Sequence, residues 1–526
     1  MADGVTSPIV APRQGPPRAF VAWGLAFARK PILDVIGRTP IAIVDSFSSE
    51  GTDDATGLPI WSPERLRNLD PQVLDVIILS DPERFGAEIR ACIAGFGDFD
   101  VSTWLDHVSH TPNSDEALKA LCVPDGEPAQ AFEDDAIVLV TGRLCQGGAE
   151  KQLVLIARAL CDLGRRVTLV RLAADGPGAE HLHALLGSRE VTHRILMARE
   201  QEASLSVAPG QVELWRSLCQ LLDPVGALLA ARLVDTLRAN RPERVISFLD
   251  GPNLISGIAA VVAKVPKVIL SGRNVAPVEF PVLPHVFAPM GSARDLYRAF
   301  VARPSVRLCN NSKAGATSYA RWLEMDVAGI EVIPNVVDAA PERGSFVTLR
   351  EEFSVPPGEK VIVAVMRLMP EKDPLALVPV FEGLAKSGVH FRGFVVGGGL
   401  LSEQLRQAIH AAGLSDRVAL LGERRRGAEC MIGADLLVHT AIAEGTPNVL
   451  LEAMRAGTPF VATDVGGSRE VVPPQFHSWL VPHGSWDLLV ERCVVALEAS
   501  LASKAELMRS VAGRAELRVA ETFASV

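Results

Sequence analysis

Two glutamates, Glu444 and Glu452, stand with seven residues between them in AEGTPNVLLEAMRAGTPFVAT, residues 443–463. A carboxylate offers two acceptor oxygens and can bridge two vicinal hydroxyls, so one of the pair suits a sugar and the other a ribose. Between them lies a helix start: Thr446 can cap it, Pro447 suits its first position, and Gly457 followed by Pro459 ends it. The backbone N–H groups of Asn448, Val449 and Leu450 then have no partner inside the helix, and with the helix dipole they favour an anion such as a diphosphate. Taken alone, Glu452 reads as a solvent-facing charge. Its neighbours Leu450, Leu451, Ala453 and Met454 make a poor setting for simple solvation.

Such groups need elements to hold them. Short β-branched runs alternate with amphipathic helical stretches along nearly the whole chain, the pattern of βαβ units and parallel sheets, so the fold class is α/β. At 526 residues the chain exceeds one hydrophobic core, and three domains are expected. A front module, 1–125, carries strands over 19–23, 40–45 and 73–80 and a helix over 82–96. A polar, proline-bearing linker follows at 126–135. The next domain, 136–338, opens with a strand over 136–140, a loop over 141–148 and a helix over 149–163 that closes on Gly164; further strands fall at 167–171, 245–248, 267–271 and 307–310, with an exit strand and turn over 331–338. The last domain, 339–526, carries strands over 360–366, 391–396, 417–421, 435–439 and 460–463. Because the strand over 435–439 precedes Glu444, the helix after it starts at the carboxyl edge of its sheet, where ligands of open α/β sheets bind. Two parallel-sheet domains in tandem imply a cleft between them.

A net charge of -10 and a pI near 5.7 give no electrostatic reason to expect nucleic acid as a partner. The short basic run Arg424-Arg425-Arg426 reads more readily as a solvated loop than as a ligand contact. Eight cysteines lie far apart, without a C-x-x-C pair or a zinc-spaced cluster, and suit the reduced thiols of a cytoplasmic protein. The opening MADGVTSPIVAPRQGPPRAF lacks a signal-peptide pattern, and no run reaches the ~18 apolar residues of a membrane span, so peripheral membrane association is the form of contact left. Asp53-Asp54 and Asp134-Asp135 read as loop charges, and no metal site is expected.

Residues 443–463 resemble the E-x7-E signature of retaining glycosyltransferases of the GT-B fold, in particular family 4 (glycosyl transferases group 1), and the similarity extends over about residues 136–520. Residues 365–372, VMRLMPEK, resemble the family's G-R-L-x-x-x-K element, whose Arg and Lys hold the donor diphosphate; this carries over to Arg367 and Lys372, while the family's Gly has no obvious equivalent near Met366. Two cations at a strand end would neutralise a diphosphate and the charge that grows on it as the glycosidic bond breaks. As isolated positions they read equally as a surface pair. Val396-Gly397-Gly398-Gly399 resembles the glycine-rich turn near the nucleotide, which places Gly398 there, although glycine is also the default turn residue. Gly147-Gly148-Ala149-Glu150 resembles the family's glycine loop, where glycines allow close backbone approach to phosphate and sugar; a tight strand-to-helix turn fits the same residues. Residues 331–338 match the interdomain V-I-x-N-x-x-D element.

The resemblance implies two facing Rossmann-like domains preceded by a small Rossmann-like module, and transfer with retention from a nucleotide-diphosphate sugar to a glycan or lipid-linked acceptor in cell-envelope polysaccharide synthesis. No cofactor beyond that co-substrate is implied. Glu444 would hold the donor sugar, Glu452 the ribose, and Arg367, Lys372 and the Gly147-Gly148 loop the phosphates. Where the family often has a histidine, this chain reads SFLDGPN over 247–253, and Asp250 takes that place among the catalytic candidates. Arg273 and Asn274 resemble an Arg-Asn pair at the inner edge of the cleft; Asn274 reads equally as a structural cap. The chain stops at ETFASV rather than running on as family members do, so different coupling between the domains is expected. After Gly24 the front module lacks the spaced glycines of a dinucleotide loop, which favours an interaction or vestigial role over redox chemistry. Nucleotide-sugar epimerisation or hydrolysis on the same fold, and a non-catalytic sugar-nucleotide scaffold, are the rival readings.

Overall fold

The computed structural model describes residues 19–23, 40, 42–44, 51–52, 58–69, 74–78, 89–96, 98–103, 118, 131–145, 147–176, 178–198, 209–279, 290–337, 347–424, 427–499, 501–511 and 516–525. The chain divides into two compact units, residues 1–110 with 200–209, and residues 111–199 with 210–526.

In the first unit β1 (Ala19–Trp23), β2 (Ala42–Val44), β3 (Gly51–Thr52), β4 (Pro59–Trp61), β5 (Leu74–Ile78) and β6 (Asp100–Thr103) form a sheet in the order β3-β4-β2-β1-β5-β6, parallel except between β3 and β4. The apolar runs of β1 and β5 lie at its centre, and Val21, Trp23, Val44 and Val76 share a core with Leu66 and Ile93. Strands β3, β4 and β6 escape sequence reading because two to four residues are too few to show a period. Helix is present over 89–94, at the end of the expected 82–96; residues 82–88 and the stretch after Gly24 lie outside the described residues.

The second unit holds two parallel sheets. The first joins β7 (Glu133–Thr141), β8 (Arg166–Arg171), β9 (Val191–Ile195), β10 (Pro242–Phe248), β11 (Lys267–Gly272), β12 (Val306–Asn310) and β13 (Ile330–Val332) in the order β13-β12-β11-β10-β7-β8-β9. The second joins β14 (Lys360–Val365), β15 (Phe391–Val396), β16 (Val418–Gly422), β17 (Leu436–His439), β18 (Phe460–Thr463) and β19 (Leu480–Val481) in the order β16-β15-β14-β17-β18-β19. The chain is therefore α/β, with two Rossmann-like domains in this unit.

Three expectations need correction here. Strand β7 begins at Glu133, inside the expected linker: Glu133 is in register with Pro242 of β10 and its N–H donates to Arg241 O (2.9 Å), while Arg166 at the start of β8 pairs with Glu133 and with Asp135 (2.6 Å), so acidic residues that look like loop charges sit at the start of a strand. The edge strand β9, VTHRI, was not expected, since a half-exposed polar strand has no apolar run to betray it. The end of the chain does cross back. Helix Glu516–Ser525 packs against helix Gly148–Asp162, places Val519, Ala520 and Phe523 in the core of the preceding domain, and sets Phe523 5.9 Å from the Phe248 ring. Arg244, 1% exposed, donates to the Phe523 carbonyl.

Candidate functional site

Every segment of interest leaves the carboxyl end of a parallel strand. Strand β7 runs into the turn before helix Gly148–Asp162, β10 into Leu249, and β11 into Arg273. Across from them β14 runs into Met366 and Arg367, β15 into Gly397 and Gly398, and β17 into the loop before helix Asn448–Ala456. Residues from all of these segments line one cavity of about 720 Å³ between the two parallel-sheet domains, a volume in the range of small-molecule sites.

The glycine turn after β15 has a steric origin. Gly397 and Gly399 have φ of 134° and 153°, and a Cβ on Gly397 would lie 1.8 Å from the Met366 carbonyl oxygen. The turn wraps the segment after β14, with Met366 N–H donating to Val396 O (3.0 Å) and Leu368 N–H to Gly398 O (2.8 Å). This places Gly398, Met366 and Arg367 together in the cavity wall.

At the centre of the site Glu444 is 7% exposed, and its Oε1 accepts from Lys372 Nζ at 2.5 Å and from His439 Nε2 at 2.9 Å. Burial alone would raise this carboxyl, but the Lys372 ammonium and the His439 imidazole outweigh it and hold it at about 2. It is therefore ionised at neutral pH. Arg367 donates to Glu371 (2.9 Å) and keeps more than half of its side chain exposed. Glu150, in the first turn of helix Gly148–Asp162, is raised by burial, against which its own amide and Arg367 act.

The two domains touch around the cavity. A Cβ on Gly148 would lie 2.5 Å from Asn448 Nδ2. Asn335 donates to Asn448 Oδ1 (2.6 Å), Gln152 exchanges hydrogen bonds with both backbone groups of Val336, and Lys151 pairs with Glu452 at 2.7 Å. Arg273, 6% exposed, lies 4.2 Å from the Phe248 ring centre and donates to Asn335; burial pulls its guanidinium down to about 10.

Of the residues singled out in the sequence, Gly147, Gly148, Arg273, Asn274, Arg367, Lys372, Gly398, Glu444, Thr446, Asn448, Val449 and Glu452 line this cavity. Two do not. Asp250 turns away: its Oδ1 accepts from Tyr297 (2.8 Å) and Tyr319 (2.5 Å), and burial raises its carboxyl against those two hydrogen bonds. Leu249 stands in the wall in its stead. Leu450 is fully buried in the core of its domain, and its N–H donates to Pro447 O (3.1 Å), so it is no ligand for an anion. Thr446 lines the cavity without capping the helix; its hydroxyl donates to Asn311 O (2.8 Å) across the cleft, and the helix starts at Asn448 with Pro447 before it.

Sequence reading missed His439, Lys151, His181 and Leu249 in the wall, while Glu150, named in the glycine-loop resemblance, lines it. His439 had a legible signal, since it ends the strand that precedes Glu444. Arg424 also lines the cavity, paired with Glu352 at 2.7 Å, whereas Arg425 and Arg426 lie outside the described residues. Among the described residues no group of three or more His, Cys, Asp and Glu gathers as metal ligands, and no helix is long and apolar enough to cross a membrane.

The fold is GT-B, and residues 346–512 match the family model described as Glycosyl transferases group 1. A crystal structure of Anabaena Alr3699/HepE in complex with UDP and glucose superimposes with a TM-score of 0.58 over 74% of this chain and 98% of that one, at 23% identity. The Vi polysaccharide biosynthesis protein VipC/TviE of Salmonella typhi is 25% identical over 64% of this chain and 60% of its own length. The 2-deoxystreptamine N-acetyl-D-glucosaminyltransferase of Streptomyces fradiae is 33% identical over 35% of this chain and 45% of its own length. The chain thus spans about half to three fifths of the length of these two curated relatives.

Proposed function

We propose that this chain is a retaining glycosyltransferase of family 4 that moves a sugar from a nucleotide-diphosphate sugar to a glycan or lipid-linked acceptor. The observation that carries the reading is Glu444, a buried carboxylate kept ionised by Lys372 and His439 inside a cavity that both domains line. Such a carboxylate accepts from the hydroxyls of a donor sugar, with Oε2 outside the two bonds that Oε1 makes. Arg367 and Lys372 supply positive charge beside it, and Asn448 and Val449 bring the start of a helix.

In the reaction the bond between the anomeric carbon and the diphosphate oxygen breaks, and the acceptor oxygen bonds to the anomeric carbon on the same face. The acceptor's proton passes to the departing diphosphate. No protein base is then required, which agrees with Asp250 facing its tyrosines and not the cavity. The names of the relatives, one in Vi polysaccharide biosynthesis and others glycosyltransferases, favour transfer over epimerisation and point towards envelope polysaccharide. A lipid-linked acceptor would bring the protein to the cytoplasmic face of a membrane.

A thermal-shift screen of UDP-, GDP- and ADP-sugars, followed by NMR of the product's anomeric configuration, tests the reading. One nucleotide sugar is expected to stabilise the protein, the product is expected to keep the donor's configuration, and Glu444→Ala and Arg367→Ala are each expected to lower transfer by about 100-fold or more. An inverted product, or full transfer by both variants, removes it.

A further inference from the structure

Lys151 belongs to no motif discussed above, yet it reaches across the cleft. Its Nζ lies 2.7 Å from Glu452 Oε1, and both side chains are 19% exposed. The contact is part of a larger register between two helix starts. Gly148 and Gln152 are one turn apart on helix Gly148–Asp162, and Asn448 and Glu452 are one turn apart on helix Asn448–Ala456. Gly148 abuts Asn448, and Gln152 Nε2 lies 3.4 Å from Asn448 Oδ1. Gln152, 3% exposed, is itself fixed by the Val336 backbone at 2.8 and 2.6 Å.

The base of the Lys151 side chain is thus held against the opposite domain before the ion pair is considered. One lysine bond does not exhaust a carboxylate, which has about four acceptor sites. It does fix which way the remaining sites point.

We propose that Lys151 is a positioning residue of the donor site: its ion pair across the cleft holds the Glu452 carboxylate in the orientation that accepts from the two vicinal hydroxyls of the donor's ribose. This rests on the proposed nucleotide-sugar reading. Its consequence is that the ribose is read by both domains together, although only one of them supplies the acceptor oxygens.

The test compares the affinities of UDP, GDP and ADP and of their 2′,3′-dideoxy counterparts by calorimetry, for the wild-type chain and for Lys151→Met, Lys151→Arg, Glu452→Gln and Lys151→Met/Glu452→Gln. For the ribonucleotide that binds, Lys151→Met is expected to weaken affinity about tenfold, with less than about a twofold change for the dideoxy compound. Lys151→Arg is expected to restore most of the loss, and the double variant to bind no worse than the weaker single one, since both changes remove the same contact. Equal losses for ribose and dideoxyribose would assign Lys151 to the phosphates or to general domain contact, and unchanged affinity would assign it no role; either result overturns the inference alone. Failure of all three ribonucleotides to bind the wild-type chain overturns the donor reading and this inference with it. Melting curves without ligand identify any variant whose fold is lost, and Lys151→Arg then carries the comparison.

Discussion

Lys372→Met keeps the stem of the side chain and removes the charge against which Glu444 sits. A carboxyl that ordinarily titrates at 4.5 is held at about 2 in this site. At ~1.4 kcal/mol for each tenfold step, its surroundings favour the ionised form by about 3 kcal/mol. Lys372 shares that effect with His439, and water from the cavity can solvate part of what is lost, so the substitution is expected to cost about 2 kcal/mol at neutral pH. For a domain of this size that is a fall of about 4–8 °C in melting temperature. The sign of the pH dependence follows from the depressed carboxyl. Its contribution is fully present above 4.5 and is lost as pH falls towards 2. In the variant the carboxyl lacks its main cationic partner, so its acid limb is shallower. Calorimetric scans from pH 7 to pH 3 should show the gap between wild type and variant at its widest above about pH 5 and closing below it. A gap of constant size across that series would mean that Lys372 stabilises by packing alone, and the electrostatic account of Glu444 would fail.

Gly148→Ala would place a methyl group 2.5 Å from Asn448 Nδ2, so either the Asn448 amide turns and gives up its bond to Asn335 or the domains separate slightly. The expected result is a donor KM raised about tenfold with a melting temperature lowered by only a few degrees; an unchanged KM would show that the close approach is not needed for donor binding. Phe523→Ala removes a fully buried ring that packs on Phe248 in the core of the domain containing β7 to β13, at a cost of about 3–5 kcal/mol. A loss below about 1 kcal/mol in the same calorimetric scans would mean that the last helix is only loosely seated.

The donor side was legible because its pattern is local. A strand, a loop carrying Glu444 and a helix carrying Glu452 occupy one continuous segment, and Arg367 and Lys372 another, so spacing alone brings most of the right side chains to one sheet edge. The misreadings share one cause. Thr446 has the chemistry of a cap and Leu450 the position of an anion ligand, but the first is claimed by the Asn311 carbonyl of the opposite domain and the second by the core. In each case a tertiary partner outcompeted the local one. The last helix was misjudged for the same reason: its apolar face, Val519, Ala520 and Phe523, is short, and only the groove on helix Gly148–Asp162 gives it meaning.

The wall opposite the donor segments shows why the second half of the reaction stays closed to sequence reading. Leu249 has φ 75° and ψ 155°, a conformation that glycine tolerates and leucine adopts at a cost of about 1–3 kcal/mol. It persists because its surroundings over-determine it. Its N–H donates to Ser271 O (3.1 Å), and the next residue, Asp250, accepts from Tyr297 and Tyr319, the chain's two tyrosines. Asp250 therefore acts on the cavity through its neighbour: by anchoring the turn, it sets an apolar side chain in the wall where a polar group was expected. His181, Leu182 and Leu185 from helix Ala179–Leu185 continue that wall. On the proposed reading, the group facing Leu249 is recognised by shape and apolar contact, while hydrogen-bond recognition is concentrated at Glu444 and Glu452. No single segment of the chain contains that division, because it depends on two tyrosines that turn Asp250 out of the site and on a serine carbonyl that holds Leu249, each from a different element.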